Sequence, residues 1–165
     1  RLIFELDLLA RVADPALIDA QTREEALAGI DAVIPFIELG DLMVPKGAVV
    51  TGPLLQAMNA GARLGVVGDP VPTAPLTPDD LVAVHAVLEK DCAVVAQADG
   101  SALLGHPLDA VLWIAKAAKA RGFALKKGDV LSLGSLGPFQ IASAGVVKAR
   151  YDVGETTAAV TVTLQ

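Results

Sequence analysis

A chain of 165 residues is long enough for one domain with its own hydrophobic core, needing neither disulfides nor metal to fold. At 53% hydrophobic and 4% aromatic it is not disordered, and its core suits strands and small-residue helices better than stacking surfaces. A net charge of −6, with no Lys/Arg block, argues against nucleic acid, whose phosphates need clustered cations.

The first element is a strand over about residues 2–12, where "FELDLLARV" alternates. Phe4, Leu6, Leu8, Ala10 and Val12 share one face; Glu5 and Asp7 share the other, about 7 Å apart. "ADPA" leads to Thr22 and Glu25, a capping box opening a short helix that ends near Gly29. "DAVIPFIEL" reads as a second buried strand. Thr51 caps "GPLLQAMNA", and Gly61 ends that helix. "RLGVVG" is a brief apolar strand, and the four prolines of "DPVPTAPLTP" make a stiff surface connection within the domain. "DLVAVHAVLEKD" and "CAVVAQAD" read as paired strands around a Lys90–Asp91 turn. The long helix is "HPLDAVLWIAKAAKARG": Pro107 suits its first turn, Gly122 closes it, and Trp113 falls on its buried face. "KKGDVLSLGSLGPFQI", "GVVKARYDV" and "AAVTVTLQ" supply at least three more strands. The sum is a strand-rich α+β domain with one long and two or three short helices. GxGxxG and P-loop patterns are absent.

Cys92, the one cysteine, excludes an internal disulfide and reads as an inert strand residue, with no His or second Cys at metal-ligand spacing. His85, flanked by Val and Ala, reads as structural. No apolar run approaches the roughly 20 residues that cross a bilayer, so no membrane partner is expected. No signal peptide is visible in a chain that starts at Arg1, and a cytoplasmic location is the expectation.

The acids carry the chemistry. Glu38 ends an apolar strand whose composition suggests deep burial, and a buried carboxylate needs a partner or a cation. No Lys or Arg lies between Arg23 and Lys46. Glu5, Asp7 and Glu38 would together supply oxygen donors suited to Mg²⁺ or Mn²⁺, and the absence of His and Cys argues against zinc. Spacing alone also allows a polar strand face whose acids meet only water.

Residues 104–138, "LGHPLDAVLWIAKAAKARGFALKKGDVLSLGSLGP", resemble the C-terminal catalytic domain of the fumarylacetoacetate hydrolase superfamily, in the branch of 2-keto-4-pentenoate hydratases and 4-oxalocrotonate decarboxylases. "FELDL" resembles that branch's Glu-x-Glu metal strand, "IPFIELGD" its second acidic strand, and "MNAG" an Asn-containing turn. The resemblance runs through nearly the whole chain. It implies a strand-rich mixed β-sheet roll, residues 1–165 forming a single catalytic domain without the upstream segment of full-length relatives. It makes Glu5, Asp7 and Glu38 the metal ligands and Mg²⁺ (or Mn²⁺) the cofactor. Asp41 would be a base or a neighbour of the ligands, with Gly40 bending the strand to bring it round. Ser135 would act in a substrate loop with Leu133, Gly134 and Leu136. His106 would start the helix, and Lys46 carries little weight. The implied activity is a divalent-metal-dependent hydro-lyase adding water to a short unsaturated 2-oxo acid such as 2-hydroxypenta-2,4-dienoate, through an enolate stabilised by the ion. Alternatives are a decarboxylase, an acylpyruvate C–C hydrolase, or a degenerate small-acid binder. The implied assembly is a homo-oligomer.

Three differences from that pattern matter. Asp7 is one methylene shorter than the second Glu of the branch. Leu42 and Met43 stand where a polar residue and an Arg are expected, and Leu133 where a Thr hydroxyl would reach the substrate. Losing an Arg and a hydroxyl is expected to favour smaller or more apolar substrates over dianions.

Overall fold

A computed structural model describes residues 1–45 and 47–165. Two antiparallel sheets pack face to face around one core. The first is built on β1 (Leu2–Val12) and β2 (Ile30–Asp41), paired from Leu2↔Asp41 to Arg11↔Ala32 without a break. β3 (Leu64–Val67) and β4 (Val71–Pro72) extend it beyond β2; β7 (Val130–Ser135) and β8 (Gln140–Ile141) extend it beyond β1. The second sheet runs in the order β10 (Thr156–Leu164), β9 (Gly145–Val153), β5 (His85–Lys90), β6 (Ala93–Asp99). Every ladder among the described residues is antiparallel.

Strand alternation decides what meets in the middle. Phe4, Leu6, Leu8, Ala10 and Val12 of β1 share one buried cluster with Ala86 and Leu88 of β5 and Val147, Ala149 and Tyr151 of β9. The helices are α1 (Arg23–Ala28), α2 (Gly52–Ala57), α3 (Pro78–Val82) and the longer α4 (Pro107–Ala120). The capping box of Thr22 and Glu25 forms, Thr51 caps α2, and His106 is the N-cap of α4, its Nδ1 accepting from Leu108 N–H at 3.0 Å.

Four expectations need correction. "DLVAV" belongs to α3 and the residues after it, not to a strand, because Thr77 and Asp80 form a second capping box with Pro78 in the first turn. The β5–β6 turn is centred on Asp91 and Cys92, both at positive φ (50° and 68°), so Cys92 is an exposed turn residue. Trp113 is 62% exposed. It lies two residues from Val111, about 200° round the helix from that buried side chain. Glu38 is half-buried, not deeply buried, and Asp7 is the enclosed acid.

Candidate metal centre

The face of β1 turned away from the core reads Ile3, Glu5, Asp7, Leu9. Ile3 joins a small apolar cluster with Leu42 and Met58, and Leu9 another with Ala32 and Ile34. The two acids lie between these clusters. Glu38 stands directly opposite Glu5 in the β1–β2 ladder, so alternation and register put all three carboxylates on one face.

Asp7 is 0% exposed. Its enclosure comes from β7, where Ser135 pairs with Asp7 but Ser132 pairs with Leu9, a bulge of one residue. Gly134, in this bulge, adopts φ +104°, a conformation that disfavours any side chain. Its N–H donates to Asp7 Oδ1 at 3.1 Å, the Leu8 N–H donates to the same oxygen at 2.6 Å, and the Ser132 hydroxyl donates to Oδ2. Behind the strand, the Tyr151 hydroxyl lies 2.7 Å from the Asp7 carbonyl and 2.8 Å from that of Phe36, bracing the β1–β2 pair from the second sheet.

Burial pushes the Asp7 carboxyl up to about 7, against the lowering effect of the Ser132 hydroxyl, and the charge on Glu38 adds to the rise. Burial raises Glu5 too, partly offset by the Ser135 hydroxyl, and raises Glu38, where the charge on Glu5 contributes. Among the described residues none of the three pairs with a Lys or Arg. Three mutually repelling carboxylates with no basic partner among the described residues suit a hard divalent cation. As they stand, no three such side chains among the described residues converge on a single point. Asp7 already accepts three hydrogen bonds, and a carboxylate offers about four acceptor positions, so one remains for a ligand.

Beside Glu38 a cleft of about 470 Å³ is lined by Phe36, Asn59, Arg63, Gly65 and Ser132. Gly65 is required there: a Cβ would lie 1.9 Å from the Phe36 ring. Asn59 sits at φ 51° in the expected turn.

Not every expected residue joins the site. The unbroken ladder through Gly40 leaves Asp41 on the opposite strand face from Glu38. There it pairs with Arg63 at 2.8 Å, an ion pair that makes it a poor base. Leu133, 7% exposed, and Leu136 point into the core and do not line a substrate surface; alternation in β7 turns Ser132 to the acids instead. Ser135 is at the acids, its hydroxyl near Glu5 and donating to the Gly137 carbonyl. Lys46 lies outside the described residues. Ser132, Arg63 and Tyr151 were not foreseen, although the alternation of "VLSLGS" carries the signal for Ser132.

No family model matches the chain. It is 34% identical over 128 residues to 2-hydroxyhexa-2,4-dienoate hydratase of Comamonas testosteroni, a match spanning 75% of this chain and 46% of that protein. It is 30% identical over 128 residues to 2-keto-4-pentenoate hydratase of Paraburkholderia xenovorans, covering 76% of this chain and 46% of the relative. The chain thus spans about half the length of the curated relatives it matches. Among solved structures, 4-oxalocrotonate decarboxylase from Pseudomonas putida G7, complexed with magnesium and adipate, superposes with a TM-score of 0.80 at 23% identity, over 97% of this chain and 59% of that one.

Proposed function

The chain belongs to the fumarylacetoacetate hydrolase superfamily, in the branch of 2-keto-4-pentenoate hydratases and 4-oxalocrotonate decarboxylases, and on that premise we propose that it is a divalent-metal-dependent hydratase of a short unsaturated 2-oxo acid. The observation that carries this reading is the set of Glu5, Asp7 and Glu38 on one sheet face, without a basic partner among the described residues, beside an open cleft.

These three carboxylates would hold Mg²⁺ or Mn²⁺. When bound, such an ion supplies Lewis acidity toward a 2-oxo carboxylate and neutralises charge that would otherwise repel it. The chain's own groups do the rest. Ser132, Gly134 N–H and Leu8 N–H fix the orientation of Asp7 and favour its ionised form. Tyr151 keeps the β1–β2 step rigid beneath it. Ser135, next to Glu5, offers a hydroxyl where the bound acid would sit. Phe36, laid against Gly65, gives the substrate carbons an apolar wall. Asp41, engaged by Arg63, takes no proton in this scheme.

Residues 1–165 are proposed to act as a single domain, in a homo-oligomer whose mass light scattering would give. No helix among the described residues is long and apolar enough to cross a membrane, and a cytoplasmic location is part of the proposal.

Titration calorimetry with Mn²⁺, followed by ultraviolet measurement of 2-hydroxypenta-2,4-dienoate consumption, tests the reading. Binding should disappear in Glu38→Gln, with turnover lost alongside. Equal Mn²⁺ affinity in that variant removes the cation site. Mn²⁺ binding without turnover in the parent chain replaces the enzyme with a small-acid binder.

A further inference from the structure

We infer that Arg63 selects dicarboxylic 2-oxo acids by holding the carboxylate remote from the 2-oxo group, an inference that rests on the acid cluster being a cation site. In the β2–β3 ladder Glu38 pairs with Gly65 and Leu39 with Leu64. Arg63 immediately precedes β3, two residues before Gly65, so its backbone lies close to that of Glu38. Both residues line the cleft, together with Phe36 and Ser132. Among the described residues Arg63 is the one Lys or Arg of that lining.

The guanidinium has capacity to spare. Its Nη1 donates to Asp41 Oδ2 at 2.8 Å, one of five N–H donors, and its side chain is 56% exposed. With its guanidinium side open to solvent, such a pair contributes little. An incoming carboxylate can take the fork of remaining donors in the bidentate geometry that suits guanidinium. The charge balance points the same way. A divalent ion offsets two of the three carboxylates, so a dianionic ligand meets residual negative charge unless a cation stands nearby. Arg63 supplies that cation where Leu42 is buried against Ile3 and Met43 is exposed. Ser132 likewise puts a hydroxyl on the acid face that Leu133 does not. The preference expected from Leu42, Met43 and Leu133 is thereby reversed.

Calorimetry in saturating Mn²⁺ with 2-oxoadipate and 2-oxohexanoate, equal in chain length and differing by one carboxylate, tests this. The parent chain should bind 2-oxoadipate about tenfold more tightly. Arg63→Gln should erase that advantage while leaving 2-oxohexanoate and Mn²⁺ affinities within about twofold, and Arg63→Lys should keep part of it. Asp41→Asn, which frees the guanidinium, should tighten 2-oxoadipate alone. Equal affinities in the parent chain, or an advantage that survives Arg63→Gln, overturn the role of Arg63 and leave the cation site standing. If Mn²⁺ itself does not bind, the cation-site reading fails and this inference falls with it; if Mn²⁺ binds and neither acid does, this inference alone is overturned.

Discussion

Replacing Asp7 by Asn should make the metal-free protein more stable at neutral pH. Asp7 is 0% exposed, and its carboxyl titrates near 7, pushed up mainly by burial from the ordinary value of 3.8. A folded state that binds the proton more tightly than the unfolded one is favoured by acid. The stability linked to Asp7 is therefore fully present below about pH 4 and is lost as the pH rises through 7. About three pH units at about 1.4 kcal/mol each set an upper figure of about 4 kcal/mol. That is a large share of the roughly 5–15 kcal/mol by which domains are stable. The asparagine side chain would keep an oxygen for the Leu8 and Gly134 N–H groups and turn its amide to Ser132, whose hydroxyl can accept as well as donate. The exchange costs about 1 kcal/mol in weaker hydrogen bonds, so the variant should gain about 2–3 kcal/mol at pH 8. Urea unfolding in chelator at pH 4.5, 6 and 8 measures it. Aspartates with lowered values, such as Asp80 and Asp91, lose their contribution only at more acidic pH, while Glu5 and Glu38, raised in parent and variant alike, leave the difference between the two proteins to Asp7. Adding Mn²⁺ at pH 8 should reverse the order, because only the parent chain then gains from binding. A parent chain with flat stability from pH 4.5 to 8, and an Asp7→Asn variant weaker at pH 8, would refute the reasoning.

Ser132→Ala removes the hydroxyl that lowers the Asp7 value, so Mn²⁺ affinity at pH 7 should fall about tenfold by calorimetry, in the range of lost partners to metal ligands. Tyr151→Phe leaves two strand carbonyls without the buried hydroxyl and should cost about 1–3 kcal/mol, read as a lower urea midpoint with unchanged slope. Gly65→Ala drives a methyl into the Phe36 ring, and the displaced ring should cost about 1–3 kcal/mol in thermal unfolding and weaken 2-oxohexanoate binding in Mn²⁺.

Much of this site could be read before any coordinates, because period-two alternation is a strong signal. "FELDL" separates its acids from its core residues by parity alone, and the continuous β1–β2 ladder then puts Glu38 opposite Glu5. Parity fails where the ladder is irregular. The bulge in β7 re-aims Ser135, which strict alternation from Ser132 would turn to the core, onto the acid face opposite Asp7; Leu133 and Ser132 follow alternation, Leu133 to the core and Ser132 to the acids. It fails too where chain distant in sequence decides. Arg63 meets Asp41 across 22 positions, and Tyr151 meets Asp7 across 144. Cys92 at positive φ carries no residue-type signal, whereas "TPDD" does announce α3 and is masked by the apolar run after it.

The bulge also explains how a sheet tolerates a buried aspartate. The extra residue presents a backbone N–H from Gly134, beside the hydroxyl that Ser132 presents by alternation. The same segment is anchored from behind by Leu133 and Leu136 in the core and by the Leu136 N–H donating to the Leu6 carbonyl. The loop that holds Asp7 therefore cannot move independently of the packing between the sheets. That rigidity serves a cation site, since ligands fixed in advance lose little freedom when the ion arrives. It also concentrates repulsion: Asp7 and Glu38 cannot draw apart to relieve each other's charge, so the protein must hold a proton there or bind a cation. The near-neutral titration of Asp7 and the affinity for a divalent ion are, on this view, two responses of one rigid frame.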